Sequence, residues 1–92
     1  YPKYESFNYE VKENAAIRAT LDDVRSAINN SKVKFIDARP TENYTGEANV
    51  WVRNGHIPGA ISIPWKTLMD EKNPHKLKPP MEIRKIFDLA GI

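Results

Sequence analysis

The chain has 92 residues, enough for one small domain and no more. Charged residues make up 28% and the formal net charge is only +2, which excludes a polyelectrolyte tail and gives no reason to expect nucleic acid or a membrane surface as partner. There is no cysteine, so disulfides, thiolate metal sites and thiol catalysis are excluded within these residues.

Residues 1–17 carry Tyr1, Tyr4, Phe7 and Tyr9 interleaved with Lys3, Glu5, Lys12 and Glu13, without a helical or strand period. The low net charge argues against an aromatic-basic arm for nucleic acid. The segment reads as a linker whose aromatics pack on a neighbouring surface, or as a first strand. Thr20 is placed to cap a helix, with Asp22 and Asp23 in its first turn facing the positive end of the dipole. Leu21, Val24, Ala27 and Ile28 share one stripe of that helix, and Asn29 and Asn30 end it.

Val33 to Asp37 is a β-branched and aromatic run, stopped by Pro40. It predicts a strand whose polar end, Asp37-Ala38-Arg39, stands where α/β proteins build sites. Thr41 to Gly46 reads as a helical turn with Tyr44 packing inward, and Glu47 to Asn54 as a loop with Trp51 as a packing residue. Gly55 then permits the positive φ of a tight reversal, Pro58 restrains itself and Ile57, and Gly59 frees the backbone again. Ala60, Ile61 and Ile63 form a short apolar run closed by Pro64, the pattern of a strand buried on both faces. A helical turn over Lys66 to Asp70 and a polar loop over Glu71 to Lys78 follow. Pro79 and Pro80 open a last helix with Met81, Ile83, Ile86, Phe87 and Leu89 as its apolar face and Gly91 as its stop. This order predicts an α/β fold with parallel strands, crossovers and helices on the faces. No apolar run approaches the roughly 18 residues of a membrane span, and no signal-peptide pattern is present, so a cytoplasmic location is expected.

Phe35-Ile36-Asp37-Ala38-Arg39, then Tyr44-Thr45-Gly46, then Gly55-His56-Ile57-Pro58-Gly59-Ala60 with Pro64-Trp65 resemble the rhodanese, or sulfurtransferase, domain. The likeness is to the catalytic C-terminal domain of the two-domain thiosulfate and 3-mercaptopyruvate sulfurtransferases. The hexapeptide is specific where it follows an Asp-Ala-Arg strand end, and the resemblance covers residues 18–92. It implies part of a three-layer fold, a parallel sheet flanked by helices, whose further strands lie outside this sequence. It also implies that the cysteine accepting sulfur as a persulfide follows a later strand, beyond Ile92. On this expectation the piece alone is inactive. A second polypeptide or another copy then carries the missing strands and catalytic loop.

Each candidate residue has two readings. Asp37 is a catalytic carboxylate, or it caps backbone N–H groups and pairs with Arg39. Arg39 steers a small anionic sulfur donor, or holds Asp37 or Glu42. The resemblance makes Asp37, Gly55, His56 and Gly59 residues that shape the site. Persulfide transfer needs no general base, because a thiolate of low pKa is already the nucleophile. Trp65, following the central strand at its C-terminal end, lines the substrate mouth or packs in the core. Arg39 and Trp65 are therefore the substrate-binding candidates. Six positions after Asp37, where some mammalian-type tandem enzymes carry an arginine for the anionic substrate, this chain has Asn43, which leaves the donor open. His56 and His75 lack the carboxylate spacing of a metal site, and no cofactor is expected. Two other readings stand beside the sulfurtransferase: a non-catalytic rhodanese-like interaction module, and the phosphatase branch that shares the fold.

Overall fold

The computed structural model describes residues 2–92; Tyr1 lies outside them. Residues 2–14 are exposed and carry neither helix nor strand. A single 3-10 turn, Ala15–Ile17, is held by Asn14 Oδ1 accepting from the Ala16 amide. Helix α1, Leu21–Ala27, begins where the cap predicts. The Thr20 side chain accepts from the Asp23 amide at 3.2 Å, and the Asp23 carboxylate accepts from the Thr20 amide at 2.9 Å. This reciprocal box satisfies two of the donors that a helix start leaves free. Val24, Ala27 and Ile28 are half-buried, whereas Leu21, the first helical residue beside the exposed N-terminal segment, is not covered.

Strand β1 is Ile36–Asp37 and strand β2 is Ile61–Ser62, paired in parallel with Ile36 opposite Ile61 and Asp37 opposite Ser62. The run from Val33 is longer than the strand it forms, because the Val33 amide is still engaged with the Asn30 carbonyl in a turn. The ladder continues through single bonds: Ile61 donates to Phe35, Ile63 to Asp37 and Trp65 to Ala38, at 2.8, 3.0 and 2.9 Å. Parallel strands need a crossover, here helix α2, Thr41–Thr45, and the loop after it. Ala60 and Ile63 are the buried apolar residues of the described chain. Ile61 and Ser62 are half-exposed and Ile36 is 44% exposed, so β2 is not covered on both faces as its composition predicts. The two-strand sheet covers too little of itself for that.

After β2 a 3-10 turn runs from Trp65 to Leu68, one residue earlier and shorter than the Lys66–Asp70 expectation. The polar loop beyond it folds back. Asp70 donates to the Lys76 carbonyl and Lys78 to the Leu68 carbonyl, around a Met69–Leu77 bridge. Helix α3, Pro80–Leu89, has proline at its first position. It closes with Ile92 donating to the Phe87 carbonyl and Gly91 to that of Asp88, a Schellman pattern. Ile83, Ile86 and Phe87 are half-buried, but Met81 and Leu89 are 77% and 91% exposed. At about 100° per residue they lie about 160° and 120° away from Ile83, off the covered stripe. None of the helices among the described residues is long and apolar enough to cross a membrane.

Candidate functional site

The site begins where β1 runs out. The Asp37 carboxylate meets the side chain of Arg39, which folds back along the strand tip. Arg39 Nε donates to Asp37 Oδ1 at 3.0 Å and Nη2 to Oδ2 at 2.7 Å, while the Arg39 amide donates to Oδ1 at 3.1 Å. A two-point fork onto a carboxylate fixes orientation as well as charge. The Arg39 hydrogen bond holds the Asp37 carboxyl below its ordinary value, against partial burial and aided by the charges of Arg39 and His56; the pairing raises Arg39 in turn.

The same Nη2 donates at 2.7 Å to the carbonyl of Gly55. The strand tip is thereby tied to the turn between α2 and β2. Gly55 has φ +111°, a conformation that a side chain disfavours. The turn Ile57-Pro58-Gly59-Ala60 closes with Ala60 donating to the Ile57 carbonyl at 2.9 Å. Proline stands second and glycine, at φ +82°, third, the signature of a type II turn.

His56 is fixed from the other side. Its ring stacks on that of Tyr44, centroids 3.7 Å apart and planes 9° from parallel. His56 Nδ1 lies 2.6 Å from the Tyr44 carbonyl, an acceptor only, so the Nδ1 proton is donated there. Tyr44 Oη donates to the Ala60 carbonyl at 2.8 Å. Tyr44 thus packs inward as predicted, and it joins α2 to both ends of the Gly-His turn.

These contacts enclose an open cavity of about 740 Å³ between the β1 tip and the turn. Asp37, Arg39, Gly55 and His56 line it; Gly59 shapes its rim through the turn between Pro58 and Ala60. Trp65 does not reach it. The Trp65 amide is bonded to Ala38, but its ring, 48% exposed, lies along a separate depression with Lys66 Nζ 5.8 Å from its centroid. Arg53 lines the main cavity and is absent from the residues that the sequence singled out. Its one sequence signal is a cation directly before the Gly-His turn.

Residues 20–88 match the rhodanese-like domain family. The chain belongs to that family. It is 39% identical over 99 residues to a candidate thiosulfate sulfurtransferase of Synechococcus elongatus, covering 100% of this chain and 30% of the relative. It is 34% identical over 89 residues to the 3-mercaptopyruvate sulfurtransferase of Escherichia coli K12, covering 94% and 30%. Among solved structures it is similar to SseA from Escherichia coli, described as a 3-mercaptopyruvate sulfotransferase with the rhodanese fold. The TM-score is 0.75 at 32% identity, over 92% of this chain and 31% of that one. The α/β architecture is therefore that of the rhodanese fold, and the chain spans about 30% of the length of the curated relatives it matches.

Proposed function

We propose that this rhodanese-like chain forms the floor and one wall of a sulfurtransferase pocket. The observation that carries the reading is the Arg39 bridge, which joins the Asp37 strand tip to the Gly55 turn around one cavity in a chain whose relatives are sulfurtransferases. The nucleophile proposed is a cysteine thiolate supplied outside these residues, by the continuation of the polypeptide or by a partner chain bearing the further strands.

With thiosulfate as donor, the thiolate attacks the outer sulfur. The S–S bond breaks and sulfite leaves with the bonding pair, so that a persulfide remains. Cyanide or a thiol then attacks the terminal sulfur and the cysteine thiolate is released. With 3-mercaptopyruvate as donor, the thiolate attacks the substrate sulfur, the C–S bond breaks, and the bonding pair leaves as the enolate, which takes up the substrate's thiol proton to give pyruvate. This chain's residues hold the pocket: Asp37, Arg39, Gly55, His56 and Gly59 set its wall, and Arg39 faces the donor, while Trp65, on its separate depression, lies outside that wall. The setting proposed is the cytoplasm.

The test is a thiosulfate-to-cyanide assay read as thiocyanate. The 92-residue chain is expected to give none, because it has no cysteine. The full-length protein in which the sequence lies is expected to turn over and to show a persulfide adduct by intact mass. Turnover by the isolated chain overturns the assignment of the nucleophile. A full-length protein without activity toward either donor identifies the non-catalytic interaction module instead.

A further inference from the structure

We infer that Asn54-Gly55 is a self-modification site. The Asn54 side-chain amide is converted by water to a carboxylate, through a succinimide closed by the Gly55 nitrogen, and the new acid stands on the cavity wall beside Arg53.

Asparagine is a thermolabile residue, and the residue after it decides how readily the succinimide closes. The backbone nitrogen of that next residue is the attacking atom, and a side chain beside it crowds the approach. Asn54 is the one asparagine of the chain that precedes glycine. Many folds keep such a pair dormant by engaging the nitrogen or burying the amide. This loop does neither. The Gly55 amide has no hydrogen-bond acceptor among the described residues, because the tie from Arg39 Nη2 goes to its carbonyl. Gly46 has no side chain to cover that nitrogen; a Cβ there would stand 3.4 Å from it. Asn54 is exposed. The Trp51 amide donates to Asn54 Oδ1 at 3.1 Å, and Asn54 Nδ2 donates to Asn49 Oδ1 at 3.1 Å. Both partners lie in the same exposed loop, so water reaches the amide. The Trp51 bond also assists the chemistry. Negative charge gathers on Oδ1 as Cγ is attacked, and an N–H already aimed there stabilises it.

Solvent base removes the Gly55 amide proton and the nitrogen attacks Cγ. A C–N bond forms, the Cγ–Nδ2 bond breaks, and Nδ2 leaves as ammonia with a proton from solvent. Water then opens the succinimide at one of its two carbonyls. Opening at Cγ gives aspartate; opening at the backbone carbonyl gives isoaspartate, whose main chain carries an extra methylene carbon. The net change is amide plus water to carboxylate plus ammonium, with nothing oxidised or reduced. Asn54 and Arg53 line the cavity together, so either product sets a carboxylate next to its cations. Isoaspartate also displaces Gly55, whose carbonyl the Arg39 bridge meets at 2.7 Å. Aspartate therefore keeps the bridge and isoaspartate releases it.

The test incubates the full-length protein and the 92-residue chain at mildly alkaline pH, native and in guanidinium chloride. Peptide mass mapping locates the amide-to-acid change. Enzymatic methylation of isoaspartyl carboxyls counts that isomer. Neutral hydroxylamine traps the succinimide and cuts the 92-residue chain into residues 1–54 and 55–92. Conversion led by Asn54 in the native protein is expected. All three signals at this position should be lost in Asn54→Gln, whose longer side chain closes a larger ring more slowly. Amide exchange at Ala60 should quicken in the isoaspartyl fraction and stay unchanged in Asn54→Asp. Conversion in guanidinium alone, conversion led by another asparagine, or an isoaspartyl fraction that exchanges like the unmodified chain overturns the inference. None of these readouts depends on sulfur transfer, so the result stands apart from the sulfurtransferase reading.

Discussion

Arg39 Nη2 and the Gly55 carbonyl, sixteen residues apart in sequence, meet at 2.7 Å. This bond converts two locally encoded motifs, an acid-tipped strand and a glycine turn, into one wall. Its geometry depends on a planar side chain that reaches a carboxylate and a carbonyl together.

Arg39→Lys is therefore expected to behave as a non-conservative change. The charge stays, but an ammonium cannot hold both Asp37 oxygens and the Gly55 carbonyl in one plane. Amide hydrogen exchange should accelerate at Ala60 and Ile61, next to the released turn, while α3 amides stay protected. Unchanged exchange at Ala60 and Ile61 would show that the turn stands without the bridge.

Acid should weaken the fold through Asp37. Its carboxyl is held below its ordinary value of 3.8 by the Arg39 hydrogen bond, so protons bind the unfolded chain first. Stability from this group is complete above 3.8 and is lost as the pH falls through the lower folded value. Asp23 is shifted the same way by its hydrogen bonds with Thr20. Asp37→Asn should thus flatten part of the decline in urea midpoint below 3.8, and adding Asp23→Asn should flatten more. An unaltered slope in the double variant would place the acid sensitivity elsewhere.

Ile63 and Ile36 carry the same side chain in different surroundings, 3% against 44% exposed. Ile63→Ala should cost about 2–5 kcal/mol, the range for emptying a packed core position. Ile36→Ala should cost clearly less in the 92-residue chain, because much of its surface already meets water. Urea unfolding of the two variants side by side measures the difference; equal losses would mean that Ile36 is covered in solution.

What could be read from sequence is what short-range chemistry decides. Thr20 with Asp23, the Pro58-Gly59 pair, the positive φ of Gly55 and the Pro80 start depend on neighbours within a few residues, and each stands where the residue types place it. Positions that depend on distant partners were less legible. The Val33–Asp37 run carries strand residues along its length, but a strand extends only as far as it is paired, and the Asn30 turn claims Val33. Met81 and Leu89 are apolar on a helix whose covered stripe is set by what lies against it. Trp65 has its amide on the site and its ring turned toward Lys66, a separation that spacing along the chain does not encode. Arg53 is the single cation of the Glu47–Asn54 loop, and its place on the cavity wall rests on the turn at Gly55 that follows it, which the spacing of residue types does not encode.

The alignment of two strands of two residues each is secured less by their own ladder than by cross-ties at their ends, Arg39 to Gly55 and Tyr44 to Ala60. Length changes within the Glu47–Asn54 connection leave both ties in place, and doubling a flexible loop costs only about 0.6 kcal/mol of closure entropy. A single residue inserted between Asp37 and Arg39, or between His56 and Ala60, would shift a side chain to the opposite face and undo a tie. Natural variants of this domain should accordingly be elastic in the first interval and fixed in count in the other two.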